Sequence, residues 1–184
     1  MKIDKTKTIT SENLRLRIPS AADFPHIFSA TKQKGFNDGM LWDPPTSMEE
    51  LIEPLQKGIK AWEEGRGYGF TIEDINTAEF LGRISIRETE NENVWNVGFW
   101  THPRHQGKGI MTEALSLILH FGFKDLQATS IDACYAIWNK ASEKVLTNNG
   151  MSFIKYIEKA FKKHGKWVDE NMVAIGLGEW ENMK

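Results

Sequence analysis

The alternation of hydrophobic and polar residues predicts several β-strands. Leu14, Leu16 and Ile18 alternate with two arginines, a spacing typical of a half-buried strand. Runs of strand-forming residues separated by turn residues predict six more strands, at about 68–73, 79–89, 94–101, 129–137, 152–161 and 167–177. Residues 1–12 are polar, and we expect them to form a loose arm.

Spacing of three to four residues predicts four helices between these strands. One spans about 21–32, one follows Ser47 and ends at Gly65, one runs from Ile110 to about Lys124, and one spans 139–149 before Gly150. A glycine directly after the last periodic residue is a common C-terminal signal. The third helix has the clearest apolar face, with a polar line opposite it.

The predicted order, β-α-α-β-β-β-α-β-α-β-β, indicates a mixed α/β (α+β) fold. Strands joined by short turns should pair antiparallel. The strands at 94–101 and 129–137 are joined through a helix, and such a crossover makes two strands parallel. We therefore predict a mixed, mostly antiparallel central sheet with helices on both faces, forming a single domain over residues 1–184.

Composition excludes several classes of function. The 23 basic and 25 acidic residues give a net charge of −2, which argues against nucleic acid as a partner. The single cysteine, Cys134, excludes an internal disulfide and a multi-thiolate metal site, and we expect it in the core and no metal cofactor. The longest apolar-rich stretch, Leu115 to Phe123, is too short to cross a membrane. We expect a cytoplasmic protein with no membrane partner.

The chemistry is concentrated in the segment from Phe99 to Ala114, which reads as strand, proline turn, glycine-rich loop and helix. A helix N-terminus presents unpaired N–H groups and a partial positive charge, so the loop predicts a cradle for a pyrophosphate. A Walker loop is absent. A dinucleotide-binding fingerprint would need a third glycine where Thr112 stands, which argues against a nicotinamide cofactor.

The run Gln106-Gly107-Lys108-Gly109-Ile110-Met111 resembles the acyl-CoA motif of the GCN5-related N-acetyltransferases (GNAT). That motif reads Gln/Arg-x-x-Gly-x-Gly/Ala, and Met111 departs from its last position. Thr112-Glu113-Ala114, Asn139-Lys140-Ala141-Ser142 and Gly150-Met151-Ser152-Phe153 resemble the subgroup that includes the ribosomal-protein N-acetyltransferases. The resemblance implies the GNAT fold, with the parallel pair at 94–101 and 129–137 splayed apart.

The resemblance also implies a role for individual residues. Backbone groups of Phe99, Trp100 and Thr101 would bind the pantetheine arm, which Asn139 would also contact. Ser142 would protonate the leaving thiolate, because Leu146 stands where many family members have a tyrosine. The pyrophosphate would rest on the loop and helix start formed by Gln106, Gly107, Lys108, Gly109, Ile110, Met111 and Thr112.

The general base is not evident, because Asn96 stands where related chains often carry a glutamate. Glu88, Asp43 or a water relay stay open as alternatives. Trp42 and Trp100 are candidates for lining the acceptor pocket, and His102 and His105 are expected to be exposed loop residues.

We therefore expect an acetyl-CoA-dependent N-acetyltransferase that acts on a primary amine, with a protein N-terminal α-amine as the favoured acceptor. A small amine such as a polyamine, an amino acid or an antibiotic is one alternative. A catalytically weak acyl-CoA-binding sensor is another. The sequence leaves monomer and homodimer equally open.

Overall fold

The structure, a computed structural model, describes residues 2–183 and contains one eight-stranded sheet. The strand order across this sheet is β1-β2-β3-β4-β5-β6-β8-β7. The strands are β1 (Ile9–Thr10), β2 (Leu14–Arg17), β3 (Gly67–Asp74), β4 (Phe80–Glu88), β5 (Val94–Thr101), β6 (Ser130–Ala136), β7 (Ser152–Lys163) and β8 (Lys166–Gly176). The α-helices are α1 (Phe24–Thr31), α2 (Ile52–Glu64), α3 (Ile110–Lys124), α4 (Lys140–Asn148) and α5 (Leu177–Glu181).

The predicted strands and helices are confirmed within a few residues, with two corrections. The arm at 1–12 is not wholly loose, because Ile9 and Thr10 pair with Leu16 and Arg15 on β2. The last strand ends at Gly176, and the short helix α5 follows it. Both features are too short for a periodic pattern, since a two-residue strand forms only because β2 offers a free edge.

Every neighbouring pair in the sheet is antiparallel except β5 and β6, which confirms the predicted mixed sheet. The parallel contact extends over only three residue pairs, from Val94↔Ser130 to Asn96↔Asp132. Beyond Asn96 the two strands no longer pair, although β5 continues to Thr101 and β6 to Ala136. The splayed pair predicted from the resemblance is therefore present, and it leaves a gap at the carboxyl ends of both strands.

The hydrophobic core lies between the sheet and one layer of helices. Trp62 of α2 packs edge-on against Tyr68 and Phe70 of β3, and Phe121 of α3 packs against the same two rings. Helix α4 contributes the fully buried Leu146 to this core. We call this side of the sheet the core face.

Helix α1 lies on the opposite side of the sheet, so helices occupy both faces as predicted. Asp23, directly before α1, accepts a hydrogen bond from Thr71 Oγ1 at 2.7 Å and pairs with Arg17 Nη2 at 2.7 Å. Thr71 and Arg17 alternate with the core residues of β3 and β2 and thus face away from the core. We call this side the open face, because α1 covers only its β2–β4 corner.

Candidate functional site

The gap between β5 and β6 is bordered by the residues predicted to hold the pantetheine arm. Phe99, Trp100 and Thr101 are all partly exposed, and none of them pairs with β6. The end of β5 approaches β4 closely, since a Cβ at Gly82 would lie 2.4 Å from the carbonyl oxygen of Trp100. Gly82 therefore permits a backbone position that any larger residue would displace.

The glycine loop leads from this gap to the start of α3. Gly107 and Gly109 have φ angles of +76° and +79°, a region that favours glycine. The first helical hydrogen bond runs from Glu113 N–H to the Gly109 carbonyl at 3.1 Å. The amides of Ile110, Met111 and Thr112 thus precede the helical ladder, and no side chain caps them. Three unpaired donors meet at one open helix end, as an anion cradle requires.

The other side chains of the loop and helix start lie at the surface, as for Gln106 and Lys108, or in the core, as for Met111. Gln106 and Lys108 are exposed, and Gln106 Nε2 donates to the carbonyl of Thr101 at 3.4 Å. Met111, the departure from the family pattern, is 5% exposed and packs into the core. The larger side chain is therefore accommodated inside the protein, and the amide of Met111 stays at the helix start.

His102 anchors the beginning of the loop, and it is buried rather than exposed as predicted. Its ring lies under α1, where Nε2 is 3.0 Å from Ser29 Oγ. Nδ1 accepts from the backbone N–H of Arg104 at 3.3 Å. In the neutral ring the proton is therefore on Nε2, which donates to Ser29, and Ser29 donates to the carbonyl of His26.

The environment of His102 favours this neutral form. Burial lowers the pKa of His102, and the neighbouring His105, Arg104 and His26 lower it further. The prediction for His105 was wrong as well: 12% of its side chain is exposed, and its Nε2 lies 3.4 Å from Glu79. Both histidines were expected at the surface because the sequence does not reveal that α1 packs over this loop.

Helix α4 brings Asn139 and Ser142 to the other side of the gap. Asn139 is the N-cap of α4, and its Oδ1 accepts from the backbone N–H of Ser142 at 3.1 Å. Ser142 Oγ is partly exposed and makes no hydrogen bond to any residue from 2 to 183. Asn149, at the end of α4, donates to the carbonyl of Thr112 at 3.1 Å. Helices α3 and α4 are thereby held side by side.

Aromatic side chains form a wall on the open face near the end of β5. Phe36 packs edge-on against both Trp42 and Trp100, with ring centroids 6.4 and 5.3 Å away. Phe80 of β4 packs against the other side of Trp100. Trp42 and Trp100 thus belong to one aromatic cluster, as an acceptor pocket at this position would require.

A carboxylate that the sequence analysis did not single out, Glu170, faces the same side. Glu170 lies opposite Ala136 on β6 and Ile157 on β7, so it stands on the open face, one strand beyond the β6 border of the gap. It forms no hydrogen bond or salt bridge within the described chain, and partial burial raises the pKa of its carboxyl. The alternation along β8 could have identified Glu170 from the sequence, because Glu170 shares a face with Met172 and alternates with the core residue Val173.

Cys134 lies on this open face and is exposed, so the expectation of a core cysteine was wrong. Ile131, Ala133 and Tyr135 take the core positions of β6, and strand alternation leaves Cys134 on the other side. Partial burial of the thiol, with the nearby Glu170 and Asp132, raises its pKa to about 11. The thiol is protonated at neutral pH and is a poor nucleophile.

The remaining candidates for a base are occupied or distant. Asn96 Nδ2 donates to Asp132 Oδ1 at 2.6 Å, so this position serves the sheet. Glu88 pairs with Trp95, toward the end of the sheet away from the gap. Asp43 is 2.8 Å from Lys163 Nζ, and this pairing lowers the pKa of the carboxyl.

Two further properties concern the described part of the chain. Residues 2–183 contain no cluster of three or more histidine, cysteine, aspartate or glutamate side chains that could hold a metal ion. No helix within that range is long and apolar enough to cross a membrane.

Comparison with known proteins identifies the fold and the family. A family model described as "Acetyltransferase (GNAT) domain" matches residues 13–152. The Bacillus subtilis (strain 168) protein YkkB is 30% identical over 160 residues, which covers 84% of this chain and 90% of YkkB. The region matched by the family model contains β2 to the start of β7 and therefore the whole glycine loop.

Two solved structures share the architecture. RimL, a ribosomal L7/L12 alpha-N-protein acetyltransferase solved in complex with coenzyme A, has a TM-score of 0.85 and 22% identity, covering 94% of this chain and 99% of RimL. Mycobacterium smegmatis RimJ in complex with CoA-disulfide has a TM-score of 0.84 and 22% identity, covering 95% of this chain and 89% of RimJ. At these identities the likeness establishes the fold.

Proposed function

The chain belongs to the GNAT acetyltransferase family, and from this premise we propose that it transfers the acetyl group of acetyl-CoA to a primary amine, with a protein N-terminal α-amine as the acceptor. The observation that carries the proposal is the gap between β5 and β6. Unpaired amides at the start of α3 lie at one side of this gap. Glu170, on β8, stands next to the end of β6 that forms the other side.

The residues around the gap fit coenzyme A. The amides of Ile110, Met111 and Thr112 offer donors for the pyrophosphate, and a Cβ at Gly107 or Gly109 would meet nothing within 4 Å. The backbone of Phe99 to Thr101 pairs with β4 but not with β6, so its edge toward the gap offers hydrogen bonds to the pantetheine arm. Asn139 stands beside this path as the cap of α4, and its capping role is compatible with a contact to the ligand. When bound, acetyl-CoA supplies an activated thioester.

The protein's own groups account for the proton transfers. Glu170 is the proposed base for the amine, since its raised pKa brings it nearer to that of an α-amine, about 7.7–8.0, than an ordinary carboxyl would be. A backbone N–H of Trp100 or Thr101 would stabilise the oxyanion. Ser142 Oγ, which has no hydrogen-bonding partner among residues 2–183, would donate a proton to the leaving thiolate and regain one from solvent. A thiol of pKa about 8.5 leaves readily, so Ser142 assists the reaction.

The preference for a protein N-terminus has two supports. An α-amine is deprotonated more easily than a lysine side chain, whose pKa is about 10.4. RimL, which shares the fold, is an alpha-N-protein acetyltransferase for ribosomal L7/L12. The sensor alternative depended on Asn96, Leu146 and Met111, and Glu170 offers a carboxylate near the gap where Asn96 cannot act as a base. Acetylation of a small amine stays the principal alternative. Placement in the cytoplasm and a monomeric or homodimeric state stay predictions.

Calorimetric titration with acetyl-CoA, with NADH and ATP as controls, tests the donor. We expect micromolar affinity or better for acetyl-CoA only. A panel of N-terminal peptides, polyamines, amino acids and aminoglycosides then tests the acceptor by release of free CoA thiol. Turnover on peptides supports the proposal, and turnover confined to small amines replaces the acceptor. Binding without any turnover would contradict catalysis.

A further inference from the structure

We propose that the acceptor carries a carboxylate or similar anionic group about 10–15 Å from its amine, and that Arg83 binds this group. The inference rests on the proposed function, since it places the amine at the gap between β5 and β6. It extends that function by naming the chemistry of the acceptor. For a protein N-terminus, the anionic group would be an acidic side chain among the second to fourth residues.

Arg83 is a partly buried cation without a hydrogen-bonding partner in the described chain. It lies on the open face of β4, between Thr71 of β3 and Trp100 of β5. Its guanidinium carries five N–H donors, yet it makes no hydrogen bond or salt bridge with residues 2–183. Burying a charge without a partner is costly. A group kept in this state is suited to an anion that arrives with a ligand.

Asp23, the carboxylate that interacts electrostatically with Arg83, is already engaged. Its two oxygens accept from Arg17 at 2.7 and 3.1 Å, and also from the Ser20 amide and from Thr71 Oγ1. Burial disfavours the charged form of Arg83, and so does the neighbouring Arg17. Asp23 favours the charged form without forming a hydrogen bond to it. The Arg17–Asp23 pair is therefore complete without Arg83.

The guanidinium lies at one end of a row of small residues. Nη2 of Arg83 is 3.6 Å from the place where a Cβ on Gly69 would stand. Gly69 pairs with Ser85, and Ser85 pairs with Gly98 on β5, so the three form one row across the open face. This row ends at the gap between β5 and β6. At about 4.8 Å per strand, it spans the 10–15 Å between Arg83 and the gap.

The charges on the two sides of the open face are opposite. Arg83 supplies a cation near β3 and β4, and Glu170 supplies a carboxyl on β8, past the gap and β6. An acceptor with an amine at one end and an anion at the other matches this polarity in a single orientation. The small side chains of Gly69, Ser85 and Gly98 leave space for the chain that connects them.

Arg83→Gln tests the inference, with Arg87→Gln as a matched control. Arg87 lies on the same strand and face, loses the same charge, and is exposed with its Nη2 bonded to Asn96 Oδ1. The test uses peptides that share the same N-terminal residue and carry either aspartate or asparagine at position two, three or four. Their kcat/KM values would be compared. A second series compares ω-amino acids with alkylamines of equal length.

We expect the native protein to favour the anionic acceptor by about tenfold or more, equivalent to about 1.4 kcal/mol. The ratio should fall to about one in Arg83→Gln and persist in Arg87→Gln, while the KM for acetyl-CoA stays constant. Arg83→Glu should favour lysine-containing peptides instead. The melting temperature of Arg83→Gln should not lie below that of Arg87→Gln, because an unpaired and partly buried charge has been removed.

Other outcomes would separate the two proposals. Acetylation of peptides or small amines without any preference for an anion would overturn the role of Arg83 and leave the acetyltransferase intact. A ratio unchanged by Arg83→Gln, with a lower melting temperature, would show that Arg83 is structural. Binding of acetyl-CoA with no acceptor acetylated in either series would contradict the proposed function and this inference together.

Discussion

The ammonium group of Lys163, at the end of β7, lies 2.8 Å from Asp43 Oδ1 and 2.8 Å from the backbone carbonyl of Trp42. The Lys163 side chain is only 5% exposed, whereas the Asp43 side chain is 86% exposed. This contact joins the β7–β8 hairpin to the loop between α1 and α2. It therefore fixes the backbone that carries the Trp42 ring toward Phe36 and Trp100.

Lys163→Met should loosen this aromatic wall without disturbing the donor site. We expect the KM for the amine to rise about tenfold, while the Kd for acetyl-CoA stays within about twofold, because the affected loop lies on the open face. Steady-state kinetics and calorimetry measure the two quantities. Lys162→Met, on the exposed neighbouring position, is the control. Equal rises in both constants would point to general unfolding of the hairpin.

Gly109→Glu should abolish acetyl-CoA binding, because it brings a negative side chain to the amides that receive the pyrophosphate. The φ angle of +79° adds strain of about 1–2 kcal/mol for a non-glycine residue. Gly165→Glu matches that strain, since Gly165 has a φ of +75° and equally open surroundings in the β7–β8 turn. Similar melting temperatures with binding lost only in Gly109→Glu are expected by calorimetry. Unchanged affinity would remove the cradle assignment.

The sequence predicted those helices and strands whose hydrophobic pattern extends over many consecutive residues. Helix α3 and the strands of the sheet follow directly from spacing, and the parallel β5–β6 pair follows from the crossover rule. The glycine loop was predicted for the same reason, since its motif lies in consecutive residues. Only the structure shows that the side chain of Met111 enters the core.

The features that sequence reasoning missed depend on pairing between distant segments. Glu170 becomes a candidate base only when the register places it opposite Ala136, 34 residues earlier. His102 was expected at the surface, and its burial depends on Ser29, 73 residues away in the chain. Arg83 resembles any polar residue of an alternating strand until Asp23 is seen to be committed to Arg17.

We expect protonation of His102 to weaken acetyl-CoA binding in acid. Its pKa is lowered from 6.5, so the neutral ring is the folded form, and protonation occurs as the pH falls below that value. Protonated Nδ1 can no longer accept from the Arg104 amide at the base of the loop. We expect the Kd for acetyl-CoA to rise below about pH 6 by at least about threefold relative to His102→Gln, which does not titrate.

The comparison with His102→Gln is needed because the phosphate groups of the ligand titrate near pH 6 as well. Calorimetry from pH 5 to 8 on both proteins cancels that contribution. Protein stability should follow the same direction, since a depressed histidine pKa means that the unfolded chain binds more protons and stability is lost in acid. A constant ratio of the two Kd values across this range would show that His102 does not control the loop.

Ser142→Ala should lower kcat about 10²-fold or more if Ser142 Oγ protonates the leaving thiolate. The Kd for acetyl-CoA should change little, because the backbone N–H of residue 142 still donates to Asn139. Ser116→Ala, on the exposed face of α3, is the control for the loss of a hydroxyl. A kcat within about threefold of the native value would show that Ser142 is structural.

Glu170→Gln should lower kcat/KM by about 10²–10⁴-fold, because an amide cannot accept the proton of the amine. In the native protein, kcat/KM should fall on the acid side, with a midpoint above the ordinary glutamate pKa of 4.5, since burial raises the pKa of this carboxyl. That acid limb should be absent from the residual activity of Glu170→Gln. Glu158→Gln, on the exposed neighbouring strand, should keep both the rate and the profile.

The pH dependence of protein stability tests the raised pKa of Glu170 without requiring an acceptor. A raised pKa means that the folded protein binds more protons than the unfolded chain just above pH 4.5, so the ionised Glu170 destabilises the fold as the pH rises. Glu170→Gln should therefore melt at about the native temperature near pH 4 and above it at pH 8. If the variant instead lost stability at pH 8, Glu170 would be paired in solution and unsuited to act as the base.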